Sequence, residues 1–247
     1  WKQAAERNSL PTASELTSAA KLIQSSPWSL NAADQTATRA STTPFTFNAI
    51  AKGSIVDAAC RAATHNQANV HGVIVNLGGD LRVAGDMVER VTITDPFHNA
   101  VNAEPITAIF VCNQAVATSG NYRRGVQIGD KWYSHIIDPR TAQPVDHIDS
   151  ATVVAASSID ADALATICNV LTPSESLALV ETSKAQCLLI TRDGKRFASA
   201  GWAELEHPQL FRLAQAFVQA PGEKATPDQK VETEKKPAAK DDSKAEG

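Results

Sequence analysis

The sequence predicts an α+β protein, a single domain with a mixed, largely antiparallel sheet and flanking helices. Short β-rich runs follow one another through tight turns, and Gly129-Asp130 between two such runs is typical of a hairpin. Amphipathic segments with helical spacing occur between only some of these runs. Strand pairs that are joined directly, with helices inserted at intervals, favour this class over a doubly wound sheet.

Helical spacing of apolar residues and capping residues predict four helices. They cover residues 13–25, 52–63, 160–170 and 174–182. The first begins with a capping box, in which Thr12 and Glu15 each satisfy a backbone amide of the other. Asn66 is a candidate to end the second helix. Asp160 is the expected N-cap of the third, because its carboxylate can accept the amide protons of the first turn.

The expected strands are β-branched or alternating runs bounded by glycine, aspartate and proline turns. They cover residues 70–77, 81–84, 90–94, 106–116, 124–128, 131–137, 151–156, 186–191 and 196–200. The last two form a hairpin around Asp193-Gly194 in this interpretation, and that hairpin closes the fold.

Composition excludes some functions. The chain has 247 residues and a formal net charge of -4, and its Lys and Arg residues are dispersed, so nucleic acid is not an expected partner. The sequence has no apolar stretch long enough for a membrane span and no signal-peptide pattern. A start at Trp1 suggests a processed or trimmed N-terminus.

Four cysteines lie far apart in apolar stretches, which favours buried free thiols over a disulfide or metal site.

The last residues differ from the rest of the chain. Residues 222–247 contain seven acids and six lysines but no aromatic residue. Such a segment buries too little apolar surface to offset its ordering entropy. The expectation is a folded domain over 1–220 and a disordered charged tail over 221–247.

A carboxylate and a hydroxyl one helical turn apart form the first candidate site. Asp162 and Thr166 are four residues apart in a predicted helix, so their side chains share one face. Hard oxygens of this kind suit Mg²⁺, which keeps few protein ligands and completes its coordination with phosphate and water. The alternative is structural, with an acid that favours the helix N-terminus and a threonine on a polar face.

A histidine in the segment 133–140 is the second candidate. Alternation along the predicted strand places Tyr133, His135 and Ile137 on one face, and Asp138-Pro139 ends the strand. Histidine exchanges a proton near neutral pH and could take one from an incoming hydroxyl. The alternative is a hydrogen-bonded structural histidine.

Three glycine-bearing stretches are weaker candidates for the site. Residues 48–53 precede a helix, where first-turn amides and Lys52 favour an anion. Residues 76–80 form a strand-to-turn junction whose glycines permit close approach of another backbone. Ser119 and Gly120 belong either to a turn or to a cluster of hydroxyl and amide groups that holds phosphate. Ordinary turn chemistry is the alternative for all three.

In their order along the chain, five segments resemble the ApbE-like FAD:protein FMN transferases. They are A-I-A-K-G-x-x-V-D at 49–57, N-L-G-G-D-L-R-V-x-G at 76–85, A-T-S-G-N-Y at 117–122, Y-S-H-I-I-D-P-R-T at 133–141 and A-D-A-L-A-T at 161–166. The similarity covers roughly residues 1–202. The H-I-I-D-P-R-T and D-A-L-A-T signatures in this order are highly specific.

The resemblance implies an enzyme that cleaves the FAD pyrophosphate, releases AMP and links FMN to a Thr or Ser of a target protein. It implies FAD as substrate, Mg²⁺ as cofactor, and target flavoprotein subunits of membrane electron-transport complexes as partners. Its usual location implies a periplasmic protein, or one anchored in the inner membrane and facing the periplasm. The domain 1–220 is then incomplete at its N-terminus, because the family carries upstream segments that contact the flavin and adenine.

Individual residues take roles from the same resemblance. Asp162, Thr166 and the backbone carbonyl of Ala49 match the family's magnesium ligands. Lys52 and Ile136 match positions that contact FAD. His135, noted above, matches the histidine placed to help deprotonate the acceptor hydroxyl, and Ser119 with Gly120 is assigned to the cofactor.

Two departures from the family pattern leave alternatives open. Thr46 occupies a cofactor-contacting position that is commonly acidic, so that contact is altered or lost. Ala142 replaces the glycine that follows H-I-I-D-P-R-T. Two other functions fit the same residues, a Mg²⁺-dependent FAD pyrophosphatase that gives FMN and AMP, and a protein that binds FAD without turnover.

Overall fold

The structure is a computed structural model that describes residues 1–25, 28–42, 46–65, 69–98, 103–121 and 124–207. Its helices are α1 (Lys2–Glu6), α2 (Ala13–Gln24), α3 (Ala51–Thr64), α4 (Ser158–Val170), α5 (Pro173–Thr182) and α6 (Trp202–Leu205). Its strands are β1 (Trp28–Asn31), β2 (Thr36–Arg39), β3 (Gly72–Leu77), β4 (Asp80–Gly85), β5 (Glu89–Ile93), β6 (Thr107–Val111), β7 (Ala115–Gly120), β8 (Gly125–Ile128), β9 (Lys131–Ser134), β10 (Ile137–Asp138), β11 (Gln143–Pro144), β12 (Ile148–Ala155), β13 (Gln186–Thr191) and β14 (Arg196–Ala198).

A six-stranded sheet organises the fold, in the order β14-β13-β12-β7-β4-β3. Each neighbouring pair in it is antiparallel. The remaining described strands form two-stranded ribbons, β1-β2, β5-β6, β8-β9 and β10-β11. The predicted α+β class is confirmed.

The central sheet is buried on both faces. On one face, Ala151 and Val153 of β12 pack in a cluster with Leu164 and Cys168 of α4. On the other, residues of β4, β5, β6, β7, β12 and β13 surround the buried indole of Trp202. Because successive strand residues point to opposite faces, β12 contributes to both clusters and is almost continuously apolar.

The four predicted helices are present, with one error in capping. The capping box of Thr12 and Glu15 opens α2 as predicted. Helix α4 is capped by Ser157, whose hydroxyl accepts the amide of Asp160 at 3.2 Å, so the prediction of Asp160 as N-cap was wrong. The helix begins two residues earlier than predicted because β12 ends at Ala155 and leaves Ser157 as the first capping hydroxyl. Asn66, the candidate end of α3, lies outside the described residues.

The predicted strand 106–116 is two strands of different sheets. Strand β6 pairs with β5, whereas β7 lies between β4 and β12. Asn113 separates them with a left-handed φ of 51°, and its side chain accepts the amide of Gly85 at 2.7 Å. A period-2 pattern cannot detect this break, because apolar residues continue on both sides of it.

The predicted strand 131–137 ends at Ser134. The hydroxyl of Ser134 accepts the amide of Ile136, and His135 lies in the bend that this bond stabilises. The chain then forms the short ribbon of β10 with β11. The predicted alternation of Tyr133, His135 and Ile137 on one strand face was therefore wrong.

Several short elements were not predicted, namely α1, β1, β2, β11 and α6. They contain between two and five residues, too few for a periodic pattern to identify.

Trp1, directly before α1, bonds to the turn between β10 and β11. Its indole Nε1 donates to the carbonyl of Ala142 at 2.9 Å. Ala142 is buried with a left-handed φ of 58°, the conformation for which glycine is favoured.

The four cysteines are free, as predicted, and all except the half-buried Cys112 are buried. The proposed tail, 221–247, lies outside the described residues, as does the end of the predicted domain. No helix within the described ranges combines the length and apolar character that crossing a membrane requires.

Candidate active site

The first turn of α3 meets the start of α4 at the carboxylate of Asp162. Its Oδ2 accepts the backbone amide of Gly53 at 3.2 Å. Its Oδ1 lies 4.0 Å from the ammonium of Lys52. Asp162 is 6% exposed, so these contacts form largely out of water. The structure thus brings together Lys52 and Asp162, which the sequence had placed in separate candidate sites.

The close approach of the two helices depends on Gly53. A Cβ added at this position would lie 2.3 Å from the carbonyl oxygen of Ser158 in α4. No larger residue fits without separating the helices, and only at this short separation does the Gly53 amide reach Asp162. The glycine of the A-I-A-K-G segment therefore has a packing role, since it is inside a helix rather than in a turn.

Asp80 is a third charged group at this point, and the sequence interpretation did not identify it. It begins β4, directly after the turn formed by Gly78 and Gly79, whose φ values are 62° and 101°. Its Oδ1 lies 2.7 Å from Nζ of Lys52. Its Oδ2 is buried and has no hydrogen-bond partner among the described residues. The available signal was an aspartate in the first position of an apolar strand, where this residue type is uncommon.

Lys52, Asp80 and Asp162 form what we call the acid–lysine cluster. Two carboxylates and one ammonium give it a net negative charge. Burial, followed by the charge of Asp80, raises the pKa of Asp162 to about 6, although the Gly53 amide and Lys52 act in the opposite direction. An additional cation would relieve the repulsion between the carboxylates.

The other two predicted metal ligands lie in α4 and just before α3, the helices that carry Asp162 and Lys52. Thr166 lies one turn along α4 from Asp162, and its hydroxyl donates to the Asp162 backbone carbonyl at 3.2 Å. Ala49 is an exposed turn residue just before α3, four positions from Gly53. The described residues contain no group of three His, Cys, Asp or Glu side chains that could hold a metal. A cation here therefore needs hydroxyl and carbonyl ligands, and the oxygen donors of this set fit Mg²⁺.

His135 is exposed in the bend after β9. Its Nδ1 lies 3.0 Å from the carbonyl oxygen of Arg124, so Nδ1 carries the proton of that hydrogen bond and Nε2 keeps its lone pair. Partial burial of the ring, with a smaller contribution from the charge of Arg124, lowers the pKa of His135 despite that hydrogen bond. The neutral ring required of a base therefore predominates at neutral pH.

No hydrogen bond or ion pair between described residues joins His135 to the acid–lysine cluster. The neighbouring Ile136 is buried, and its backbone carbonyl accepts the amide of Val145 at 3.0 Å. The predicted base and FAD-contacting residue lie between β9 and β10, whereas the predicted metal ligands lie in α4 and just before α3.

Ser119 and Gly120 end β7, so the interpretation of this stretch as a turn was wrong. The carbonyl of Ser119 accepts Nδ2 of Asn169 at 2.8 Å. Asn169 lies in α4, three residues beyond Thr166, and this bond ties the end of β7 to the helix of the predicted metal ligands. Thr46 is exposed in the segment before α3.

The fold and site described above are those of an α+β protein with charged side chains where two helices begin. The model of the ApbE family matches residues 1–189. The chain belongs to the ApbE family, and the resemblance seen in its five segments is confirmed.

Curated relatives of the chain share the name FAD:protein FMN transferase. The chain is 37% identical over 169 residues to the FAD:protein FMN transferase of Treponema pallidum, which covers 63% of this chain and 46% of that protein. It is 34% identical over 161 residues to the protein of that name from Rhodobacter capsulatus, covering 62% of this chain and 29% of the relative. The chain thus matches less than half the length of these relatives.

Solved structures show the same fold. The ApbE protein of Thermotoga maritima has a TM-score of 0.72 and 25% identity, covering 80% of this chain and 65% of that one. The apo flavinyl transferase ApbE of Pseudomonas stutzeri has a TM-score of 0.63 and 26% identity, covering 80% of this chain and 62% of that one.

Proposed function

We propose that this chain carries the catalytic centre of a Mg²⁺-dependent FAD:protein FMN transferase, which attaches FMN to a Thr or Ser of a target flavoprotein and releases AMP. The observation that carries this proposal is the acid–lysine cluster, two carboxylates and a lysine held where α3 and α4 begin. The names of the matching relatives support the reaction.

In this proposal, the carboxylate of Asp162, the hydroxyl of Thr166 and the carbonyl of Ala49 would hold Mg²⁺. When bound, the ion supplies charge neutralisation at the pyrophosphate oxygens. Lys52 adds a positive charge beside the same position, and Asp80 keeps its ammonium there through the 2.7 Å ion pair. The Ala51 and Gly53 amides in the first turn of α3 are already bonded to the Phe47 carbonyl and to Asp162, so the phosphate charge is met by Lys52 rather than by these amides.

The transfer step forms a bond from the acceptor hydroxyl oxygen to the FMN phosphorus and breaks the bond from that phosphorus to the AMP oxygen. The Nε2 lone pair of His135 takes the hydroxyl proton, because Nδ1 is committed to the carbonyl of Arg124. In this proposal, FAD contacts four further residues, namely Ile136, Ser119, Gly120 and Thr46. Thr46 cannot supply the negative charge common at its position in the family, so FAD binding loses that charge here.

The proposed partners follow from the same reaction. FAD is the donor, and the acceptors are target flavoprotein subunits of membrane electron-transport complexes. We place the protein in the periplasm, or anchored in the inner membrane and facing the periplasm, because the family resemblance implies that location.

The test is an incubation of the chain with FAD and Mg²⁺, with a target domain and with the same domain whose acceptor threonine is replaced by valine. Flavin fluorescence on the threonine-containing target band, with an equal amount of AMP, is the expected result. Free FMN and AMP in every tube would instead show hydrolysis by water. Bound FAD without any product would identify a protein that only binds the dinucleotide.

A further inference from the structure

A third buried carboxylate, besides those of Asp80 and Asp162, lies one helical turn after Gly53 in α3. Asp57 is 4% exposed, and its spacing from Gly53 places both residues on the same face of the helix. That face meets the first turn of α4. The proposed function leaves Asp57 without a role, although it belongs to the A-I-A-K-G-x-x-V-D segment.

The carboxylate of Asp57 binds two backbone amides of α4. Its Oδ1 accepts the amide of Ser158 at 2.9 Å, and its Oδ2 accepts the amide of Ile159 at 3.1 Å. Amides in the first turn of a helix have no partner within the helix. Asp57 therefore caps α4 from another helix, while Ser157 caps it locally.

Arg82 of β4 completes the contact. Its guanidinium forms a hydrogen-bonded ion pair with Oδ1 of Asp57. Burial acts to raise the pKa of Asp57, but the bonds from Ser158, Arg82 and Ile159 outweigh it and hold that pKa below its usual value. The carboxylate is thus ionised at neutral pH and binds α3, α4 and β4 together.

We propose that Asp57 is a positioning residue that clamps the start of α4 onto α3 and so fixes Asp162 against Lys52 and Gly53. The inference rests on the proposed function of this site. The 3.2 Å bond from Gly53 to Asp162 requires the two helices to be in contact, and Asp57 anchors α4 one turn before Asp162. Loss of the clamp lets the first turn of α4 move and separates the predicted metal ligand from α3.

The primary test uses Asp57→Asn, which keeps the shape of the side chain but cannot accept both amides as a carboxylate does. Mn²⁺ serves as the probe, and its binding is followed by loss of the free-ion electron paramagnetic resonance signal in the presence of FAD. We expect Mn²⁺ affinity to fall about 10-fold or more, the size typical of removing a group that orients a metal ligand. Unchanged affinity would overturn the inference.

Two matched variants separate positioning from general effects. Asp160→Asn removes an exposed charge from the same first turn of α4 without touching α3. Arg82→Met removes the ion pair but leaves the bonds from Asp57 to the α4 amides, so it is expected to lose less Mn²⁺ affinity than Asp57→Asn. Asp160→Asn is expected to retain Mn²⁺ affinity within about twofold. A loss as large as that of Asp57→Asn in either variant would contradict a specific clamp.

Hydrogen exchange provides a readout that does not depend on metal. Exchange at residues 158–162 is expected to be faster in Asp57→Asn than in the unaltered chain, whereas Asp160→Asn is expected to exchange at these residues like the unaltered chain. Unchanged exchange in Asp57→Asn refutes the clamp, whereas a chain that exchanges as expected but binds no Mn²⁺ in any form refutes the proposed function. Asp57→Glu, which keeps the charge that Arg82 needs, gives the same test with a displaced carboxylate if the Asn variant does not fold.

Discussion

The ammonium of Lys52 lies 2.7 Å from Oδ1 of Asp80, a carboxylate that is almost fully buried. Replacing Lys52 by Met leaves Asp80 and Asp162 without this counter-charge. Because an uncompensated buried charge is costly, we expect the free energy of unfolding to fall by about 1–3 kcal/mol at neutral pH. Urea denaturation of the variant and the unaltered chain measures the change.

The double variant Lys52→Met with Asp80→Asn tests whether the two groups act as a pair. Removing both charges is expected to cost less than the sum of the two single changes, by at least about 0.5 kcal/mol. Strictly additive losses would show that Lys52 and Asp80 contribute independently and that the short ion pair has little energetic effect.

Gly53 allows α3 and α4 to touch, and its replacement by Ala tests this contact. The added Cβ would lie 2.3 Å from the Ser158 carbonyl oxygen, so the helices must separate. We expect a loss of about 1–3 kcal/mol, as for overpacked cores. Ser54→Ala, on the exposed face of the same turn, is the control and should leave stability within about 0.5 kcal/mol. Equal thermal unfolding of the two variants would contradict the close approach.

His135→Ala is expected to lower kcat for flavin transfer by about 10²–10⁴-fold while leaving FAD affinity nearly unchanged, as for a lost general base. His98→Ala is the control variant. His98 is exposed, and its ring hydrogen-bonds to Asp95. A similar loss in both variants would argue against a role for His135.

The same histidine predicts the pH dependence of transfer. The pKa of His135 is lowered, and only the neutral ring can accept a proton. The rate should therefore rise with pH through a value below the usual histidine pKa of about 6.5 and remain level above it. The His135→Ala variant should lack this ascending limb, and an unchanged limb would assign it to another group.

Burial of the thiols predicts selective labelling. Burial raises the pKa of Cys60, and hydrogen bonding to Cys168 together with burial raises that of Cys187. We expect a thiol reagent to modify Cys112 first in the native protein and all four cysteines after denaturation. Rapid native labelling of Cys187, detected by mass spectrometry of peptides, would contradict this arrangement of the core.

Local signals in the sequence determined which elements could be predicted. The capping box before α2 and the hairpin at Gly129-Asp130 depend on residues close together in the chain, and both are present. The break at Asn113 depends on a bond to Gly85, 28 residues away, and no local pattern reveals it. Likewise, Ser157 rather than Asp160 caps α4 because the preceding strand ends where the central sheet ends.

For the site, residue types with distinctive chemistry were predictable but their contacts were not. Lys52, Asp162 and Thr166 were identified from spacing and from family resemblance. Asp80 was missed as a charged partner because it reaches Lys52 only when β4 lies beside α3. The role of Gly53 also depends on tertiary structure, since a glycine in a phosphate-binding turn and one at a helix contact look the same in sequence.

Flavin transfer by the proposed mechanism requires the carboxylate of Asp162 as a ligand of Mg²⁺. The most direct test of this requirement compares Asp162→Asn with the unaltered chain in the transfer assay with FAD, Mg²⁺ and the target domain, after circular dichroism shows that both are folded. We expect flavin fluorescence on the target band to be lost in the variant. Transfer at an unchanged rate would contradict this requirement.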